Sequence, residues 1–129
     1  MSGLANVYGY SPEIWRRFCG CLHAGTLTGE GVVIAEAGSA ATRSLLKISA
    51  KVENGVIADA RFQAYGCPTT VAVGDWLAEQ LTGCPAEGLG SSRYAAASIR
   101  QALEIAEAQA HCGLTGEDAV CALSQQLVK

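Results

Sequence analysis

Apolar and polar residues alternate in two neighbouring segments near the middle of the chain. In LLKISAKV, residues 45–52, every second side chain is apolar, and lysine or serine stands between most of them. VIADARFQAY, residues 56–65, alternates too, which predicts Val56, Ala58, Ala60, Phe62 and Ala64 on its buried face. A period of two residues is typical of a half-buried strand. Asn54-Gly55 between the segments predicts a tight hairpin turn.

Other segments predict one helix before the strands and several after them along the chain, and VVIAEAG, residues 32–38, is the first strand. Ser11 and Pro12 predict the start of a short N-terminal helix, because serine caps helices and proline suits the first turn, and Gly20 predicts its end. After Cys67 the spacing becomes helical, with Pro68 at the first helical position and Cys67 at the N-cap. The apolar face of that helix is expected to hold Val71, Gly74, Ala78 and Leu81, with Gly83 beyond its end.

Two further helices are predicted, over residues 91–109 and 114–128. Thr115 and Asp118 resemble a capping box for the last helix. Its apolar stripe is expected to hold Val120, Leu123 and Leu127. Since a sheet cannot bury its apolar face alone, these elements predict an α+β fold. We expect one domain over residues 1–129: a two-layer sandwich of a three-stranded antiparallel sheet covered by C-terminal helices, with a short N-terminal helix.

Composition narrows the functional classes. Only 16% of the 129 residues are charged, the net charge is −3, and no basic run stands out, so no nucleic-acid partner is expected. The first residues lack the pattern of a secretory signal, and no apolar stretch is long enough to cross a membrane. The expected location is the cytoplasm, where the six cysteines are expected to be thiols or metal ligands rather than a disulfide framework.

Cysteine and histidine are the residues most suited to chemistry. Cys67, at a predicted helix N-terminus, would meet unpaired N–H groups that favour the thiolate, although a plain buried cysteine is an equal alternative. His111 and Cys112 are adjacent ligands of the types that zinc or iron accepts, although such a dipeptide also arises by chance. A third cluster, CGCLH, holds Cys19, Cys21 and His23, with an ordinary helix end as the favoured alternative.

The remaining cysteines, Cys84 and Cys121, are predicted to be structural. Cys121 follows Cys112 by nine positions, which is the opposite face of a continuous helix. A catalytic role is poorly supported, because Cys67 and His111 lack an evident third group to orient them. The sequence contains neither a phosphate-binding glycine loop nor a serine-nucleophile motif.

DARFQAYGC followed by a helix, and HCGLTGEDAV leading into the last helix, resemble the iron–sulfur cluster assembly scaffolds of the IscU type and the NifU N-terminal domain. The resemblance implies a scaffold that receives sulfur from a cysteine desulfurase and iron from a donor, assembles a [2Fe–2S] cluster and passes it to apo-proteins. It implies ligand roles for Cys67, His111 and Cys112. It also implies that zinc can occupy the site in purified protein.

The sequence departs from the family pattern at three places. Thr42 stands where the family has its first cysteine, and Ser44 stands where it has an aspartate. The proline-rich chaperone-recognition run before the histidine is absent, with Gln109 in place of its lysine, so chaperone-driven release is doubtful. A cluster usually takes four protein ligands, so a fourth is expected from Cys19, Cys21, His23 or the thiol of a second copy in a homodimer.

Three hypotheses follow. The first is a divergent scaffold that carries iron or a [2Fe–2S] cluster and has no turnover of its own. The second is a degenerate paralogue that binds and modulates a cysteine desulfurase or another scaffold. The third is a small protein stabilised by structural zinc, which chelators would unfold. A thiol enzyme that uses Cys67 is the least favoured.

Overall fold

A computed structural model describes residues 10–39, 44–89 and 94–127. Its elements, in chain order, are α1 (Pro12–Gly20), β1 (Val32–Ser39), β2 (Ser44–Glu53), β3 (Val56–Tyr65), α2 (Pro68–Leu81), α3 (Ala96–Leu103) and α4 (Ala110–Leu127), with short 3₁₀ turns at Ala86–Gly88 and Glu107–Gln109. The strands form one antiparallel sheet in the order β1-β2-β3. Helix α2 packs against β3, α4 packs against β1 and β2, and α1 packs on α2. The predicted α+β fold is confirmed.

Local signals place the first helix and the hairpin where the sequence predicts them. Ser11 is the N-cap of α1 and accepts a hydrogen bond from the backbone N–H of Ile14. Asn54 and Gly55 both have positive φ, as a two-residue hairpin turn of this kind requires. None of the helices within the described ranges is both long and apolar enough to span a membrane.

The register of β3 differs from the prediction at its first residues. A β-bulge at Ala58 shifts the pairing, so that Asp59 opposes Lys51 and Ile57 opposes Val52. Ile57 is therefore fully buried, while Val56 and Ala58 are exposed. The prediction of Val56 and Ala58 on the buried face is wrong, because an extra residue in one strand reverses the side-chain alternation before it.

The third and fourth helices also differ from their predicted bounds. Helix α3 covers only Ala96–Leu103, because Glu104 takes the left-handed conformation and turns Ile105 into the core. Helix α4 begins at Ala110 rather than at residue 114. Thr115 is therefore inside the helix, where its hydroxyl donates to the backbone carbonyl of His111, and the predicted capping box is wrong.

Two glycines let helix α2 lie close to its neighbours. A Cβ atom at Gly74 would lie 2.5 Å from Phe62 of β3, and one at Gly116 of α4 would lie 2.7 Å from Val73 of α2. Neither space admits a methyl group without movement of packed side chains. This close packing brings the N-termini of α2 and α4 together, and the candidate site lies between them.

Candidate metal and sulfur site

Cys67 is the N-cap of α2, as the sequence predicts. Its backbone is extended, with φ −78° and ψ 170°, and Pro68 follows as the first helical residue. The chain thus changes from strand β3 to helix α2 at the thiol, which is partly exposed. A sulfur at this position faces the unpaired N–H groups of the first helical turn.

Cys112 brings a second thiol to the same place from the first turn of α4. Its side chain is completely buried, and its Sγ lies 3.9 Å from Sγ of Cys67. The sequence predicts that His111 and Cys112 lie just before the last helix. In the structure both residues belong to the first turn of α4. The exposed ring of His111 places its Nε2 atom 3.6 Å from Sγ of Cys112. Cys112 therefore lies beside each of the other two residues predicted as ligands, although the three donor atoms do not all lie within 4.8 Å of one another.

Two hydroxyl groups complete what we call the thiol–hydroxyl cluster, made of Ser44, Cys67, Thr70 and Cys112. Thr70 Oγ1 lies 3.3 Å from Sγ of Cys112 and 3.8 Å from Sγ of Cys67. Ser44 Oγ lies 3.0 Å from Thr70 Oγ1, and both hydroxyl side chains are buried.

Sequence reasoning missed Thr70 as a member of this cluster. The available signal was its spacing, because a residue three positions after Cys67 lies on the same side of a helix start. Ser44 was identified only as the residue that replaces an aspartate. The structure gives it a contact, which no pattern within β2 indicates.

The two thiols have opposite acid–base character. A hydrogen bond from the Cys112 thiol lowers the pKa of Cys67 to about 4, against the effect of partial burial and with help from the first backbone N–H groups of α2. The same hydrogen bond, together with burial, raises the pKa of Cys112. At neutral pH the pair therefore holds one proton, on the inner sulfur, and Cys67 presents a thiolate towards solvent.

Comparison with known proteins identifies the family. The NifU-like N terminal domain family matches residues 9–126. The iron-sulfur cluster assembly scaffold protein IscU of Haemophilus influenzae is 32% identical over 93 residues, which are 71% of this chain and 69% of that protein. The chain belongs to the NifU N-terminal domain family. The resemblance seen in the sequence is therefore confirmed.

Solved structures of NifU-type proteins share this fold. The N-terminal part of a NifU-like protein from Brucella abortus has a TM-score of 0.73 at 18% identity, over 92% of this chain and 93% of that chain. A putative iron-sulfur cluster assembly scaffold protein for the SUF system from Fervidobacterium islandicum has a TM-score of 0.70 at 15% identity, over 92% and 99% of the two chains. At these identities the likeness concerns the fold alone.

The structure of this NifU-type domain places the CGCLH segment elsewhere. Cys19 lies in the last turn of α1, and Cys21 caps that helix and donates its thiol to the carbonyl of Phe18. His23 Nδ1 lies 3.1 Å from Asp75 Oδ1, in the middle of α2. Within the described ranges, none of these three residues contacts Cys67 or Cys112, so their role as a fourth ligand stays a prediction.

His23 belongs instead to an ion-pair cluster, which we define as Glu13, Arg17, His23, Asp75 and Glu79. Arg17 and Asp75 are both buried and lie 2.8 Å apart, and Arg17 also bonds to Glu13 and Glu79. Burial opposes the charge of Arg17, but its carboxylate partners outweigh that effect and raise its pKa. Three of the members, His23, Asp75 and Glu79, have ligand atoms close enough to hold a metal ion. The guanidinium already supplies the cation there.

The other predicted positions have simpler outcomes. Cys84 is partly buried and contacts the carbonyl of Gln80 and the hydroxyl of Tyr94. Cys121 is exposed on α4, on the side away from the buried Cys112, as its spacing predicts. Gln109 ends the 3₁₀ turn before α4. Thr42 lies outside the described residues.

Proposed function

We propose that this protein is an iron–sulfur cluster assembly scaffold that carries iron or a [2Fe–2S] cluster as its cargo. Cys67 and Cys112 are the thiolate ligands, and His111 is the third. The role is that of a carrier, without turnover of its own. The curated relative from Haemophilus influenzae is itself named as such a scaffold, which supports the proposal.

The spacing of the donor atoms is the observation that carries the proposal. Two thiolates on one tetrahedral ion, at metal–sulfur distances of about 2.3 Å, stand about 3.8 Å apart. The two sulfurs here are 3.9 Å apart. A thiolate and an imidazole nitrogen on one such ion stand about 3.6 Å apart. The distance from Cys112 Sγ to His111 Nε2 is 3.6 Å, so Cys112 has the spacing of a shared metal ion with each of its two neighbours. The three donor atoms do not all lie within 4.8 Å of one another, so a common ion requires the exposed His111 ring to move towards Cys67.

The donor set also fits the cargo chemically. Thiolates are the usual protein ligands of iron–sulfur clusters, and imidazole replaces some of them in certain sites. Cys67 is available as a thiolate because its pKa is low, and metal binding would release the proton that Cys112 keeps. Zinc accepts the same ligands, so purified protein is expected to bind it as well.

Three ligands leave one position of a four-ligand site open. Two copies of the chain would supply four cysteine thiolates, which is a full set for one [2Fe–2S] cluster. We therefore propose that the complete cluster is held across a homodimer. Before the second copy binds, the open position gives access to a cysteine desulfurase that delivers sulfur, and the apo-protein receives the cluster when the two copies separate. Release assisted by a chaperone is not part of the proposal.

The test is reconstitution under anaerobic conditions with ferrous iron, cysteine and a cysteine desulfurase. Iron and acid-labile sulfide per chain are measured for the wild type, for Cys67→Ala and for Cys112→Ala. Near-equal iron and sulfide in the wild type, lost in both variants, is the expected result. Cys121→Ala is the matched control, because it removes an exposed thiol on the far side of α4.

Other outcomes separate the alternatives. One cluster for every two chains, with dimers on size exclusion, supports the shared site, and one cluster per chain rejects it. If the protein bound zinc but no iron or sulfide, and chelators unfolded it, the scaffold hypothesis would be rejected in favour of a protein stabilised by structural zinc. No metal and no sulfide would reject the scaffold and leave a protein that modulates a desulfurase. The buried core of α2, α4 and the sheet predicts that the fold survives metal removal.

A further inference from the structure

The contact between Cys67 and Cys112 has a consequence in the absence of any metal. Their sulfurs are 3.9 Å apart, which is van der Waals contact, while a disulfide bond is about 2.05 Å long. Closure therefore needs a movement of about 2 Å. Cys67 can supply part of it, because it is a half-exposed cap residue outside the helical turns.

The two thiols differ in access, and this difference sets an order of events. Cys67 is partly exposed, whereas Cys112 is completely buried beneath it. An oxidant in solution therefore meets Cys67 first. Cys112 can then react only with the sulfur already beside it, so a second external oxidant is not needed.

We infer that Cys67 and Cys112 form a reversible intramolecular disulfide with low-molecular-weight disulfides as the oxidant. In the first step the Cys67 thiolate attacks a small disulfide RSSR, which forms Cys67–S–S–R and releases RS⁻, and RS⁻ takes up a proton from solvent. In the second step the Cys112 thiol loses its proton to solvent and its sulfur attacks the Cys67 sulfur, which forms the internal disulfide and releases a second RS⁻. The protein pair loses two electrons, and RSSR gains them.

The inference goes beyond the proposed function and does not depend on metal binding. Its effect on that function would be all-or-none, because one bond withdraws both thiolates of the proposed ligand set at once. His111 alone would remain, and a single imidazole does not hold a cluster. Oxidation would thus empty the site, and reduction would restore it.

The experiment uses the metal-free full-length chain in buffers of reduced and oxidised glutathione. After acid quenching, free thiols are alkylated and the peptides are mapped by mass spectrometry. The expected result is joint loss of the Cys67 and Cys112 thiols at the same glutathione ratio, with a cross-linked peptide pair that dithiothreitol reverses. Mixed glutathione adducts at both residues, or a bond from Cys67 to Cys19 or Cys21, would overturn the inference.

Two variants test the order of the steps. Cys112→Ser should trap the glutathione adduct on Cys67 at a level about tenfold above that in the wild type, because the resolving thiol is gone. Cys67→Ser should leave Cys112 reduced, and oxidation of Cys112 at the wild-type ratio would contradict the inference. Cys121→Ser is the control and should form the internal disulfide normally. The thiols are measured in metal-free protein. Failure to form the disulfide would therefore reject only this inference, and failure to reconstitute a cluster would reject only the proposed function.

Discussion

Helix α2 contributes to two polar clusters that differ in whether a cationic side chain bonds to their anionic groups. The thiol–hydroxyl cluster lies at its N-terminus, and the ion-pair cluster is centred on Asp75, eight residues and about 12 Å further along the axis. In the ion-pair cluster Asp75 uses both carboxylate oxygens, one for Arg17 and one for the backbone and ring of His23. In the thiol–hydroxyl cluster, within the part of the chain that the structure describes, neither sulfur bonds to a lysine or arginine.

This difference separates a structural cluster from a binding site. Both clusters contain residue types that ligate metals, and among the described residues only the ion-pair cluster has three donor atoms all within 4.8 Å of one another. Arg17 already bonds to all three of its carboxylates, so a metal ion would have to displace the guanidinium. The thiol–hydroxyl cluster has an anionic sulfur and a partly exposed entrance, and no lysine or arginine of the described ranges bonds to its sulfurs. Candidate metal ligands are therefore best judged by the hydrogen-bond and ion-pair partners that they already have within the protein.

The largest effect is expected in the ion-pair cluster. Asp75→Ala leaves Arg17 buried without its closest buried partner, so the free energy of unfolding should fall by about 3–5 kcal/mol. Urea denaturation measures the change. Asp118→Ala, which removes an exposed carboxylate from α4, should cost less than about 0.5 kcal/mol. Equal losses in the two variants would mean that the buried pair has no special structural role.

Metal affinity should depend on the thiol–hydroxyl cluster and not on the ion-pair cluster. Cys67→Ser should weaken binding of Co²⁺ or Zn²⁺ by about a hundredfold or more, since it removes a thiolate ligand. His23→Ala should leave the affinity unchanged, because His23 is bonded to Asp75 and away from the thiols. Titration of the thiolate-to-cobalt absorption provides the measurement. If His23→Ala weakened binding as much as Cys67→Ser, the roles of the two clusters would be exchanged.

The sequence predicted the parts of this architecture that short-range chemistry decides. Ser11 and Pro12 start α1, Asn54-Gly55 makes the hairpin, and Cys67 with Pro68 begins α2, because caps and turns depend on adjacent residues. The start of α4 was misplaced, since the turn that carries His111 and Cys112 is stabilised by tertiary packing rather than by a local cap.

The candidate site was only partly predictable for a related reason. Cys67 and Cys112 are 45 residues apart, and nothing local indicates that their sulfurs meet. The residue types suggested a shared site, and the resemblance to the scaffold family implied it. The missing fourth ligand suggested Cys19, Cys21 and His23 as neighbours, whereas His23 bonds to Asp75 in the middle of α2, beside the buried Arg17. The ionic partner of a residue is a tertiary property that spacing along the chain does not contain.

A smaller effect is expected where α4 packs on α2. Gly116→Ala places a methyl group 2.7 Å from Val73 and 3.0 Å from Ile99, so unfolding should become easier by about 1–3 kcal/mol. Because α4 then moves away from α2, metal affinity should fall too, although no ligand is changed. Gly20→Ala, whose Cβ would lie 4.0 Å from its nearest neighbour, is the matched control and should be neutral. Unchanged affinity in Gly116→Ala would show that the site tolerates displacement of α4.

The smallest effect is the most direct test of the thiolate. Alkylation follows the thiolate fraction, so a thiol of ordinary pKa reacts about a hundredfold faster at pH 8 than at pH 6. With its pKa lowered to about 4, Cys67 is already ionised across this range and its rate with iodoacetamide should be nearly flat. Cys112→Ala removes the thiol that donates to it, so the pKa of Cys67 should rise and the slope should return. If the alkylation rate of wild-type Cys67 rose steeply with pH, the Cys112 thiol would not stabilise the Cys67 thiolate. The thiol–hydroxyl cluster would then lack the anionic sulfur that distinguishes it from the ion-pair cluster.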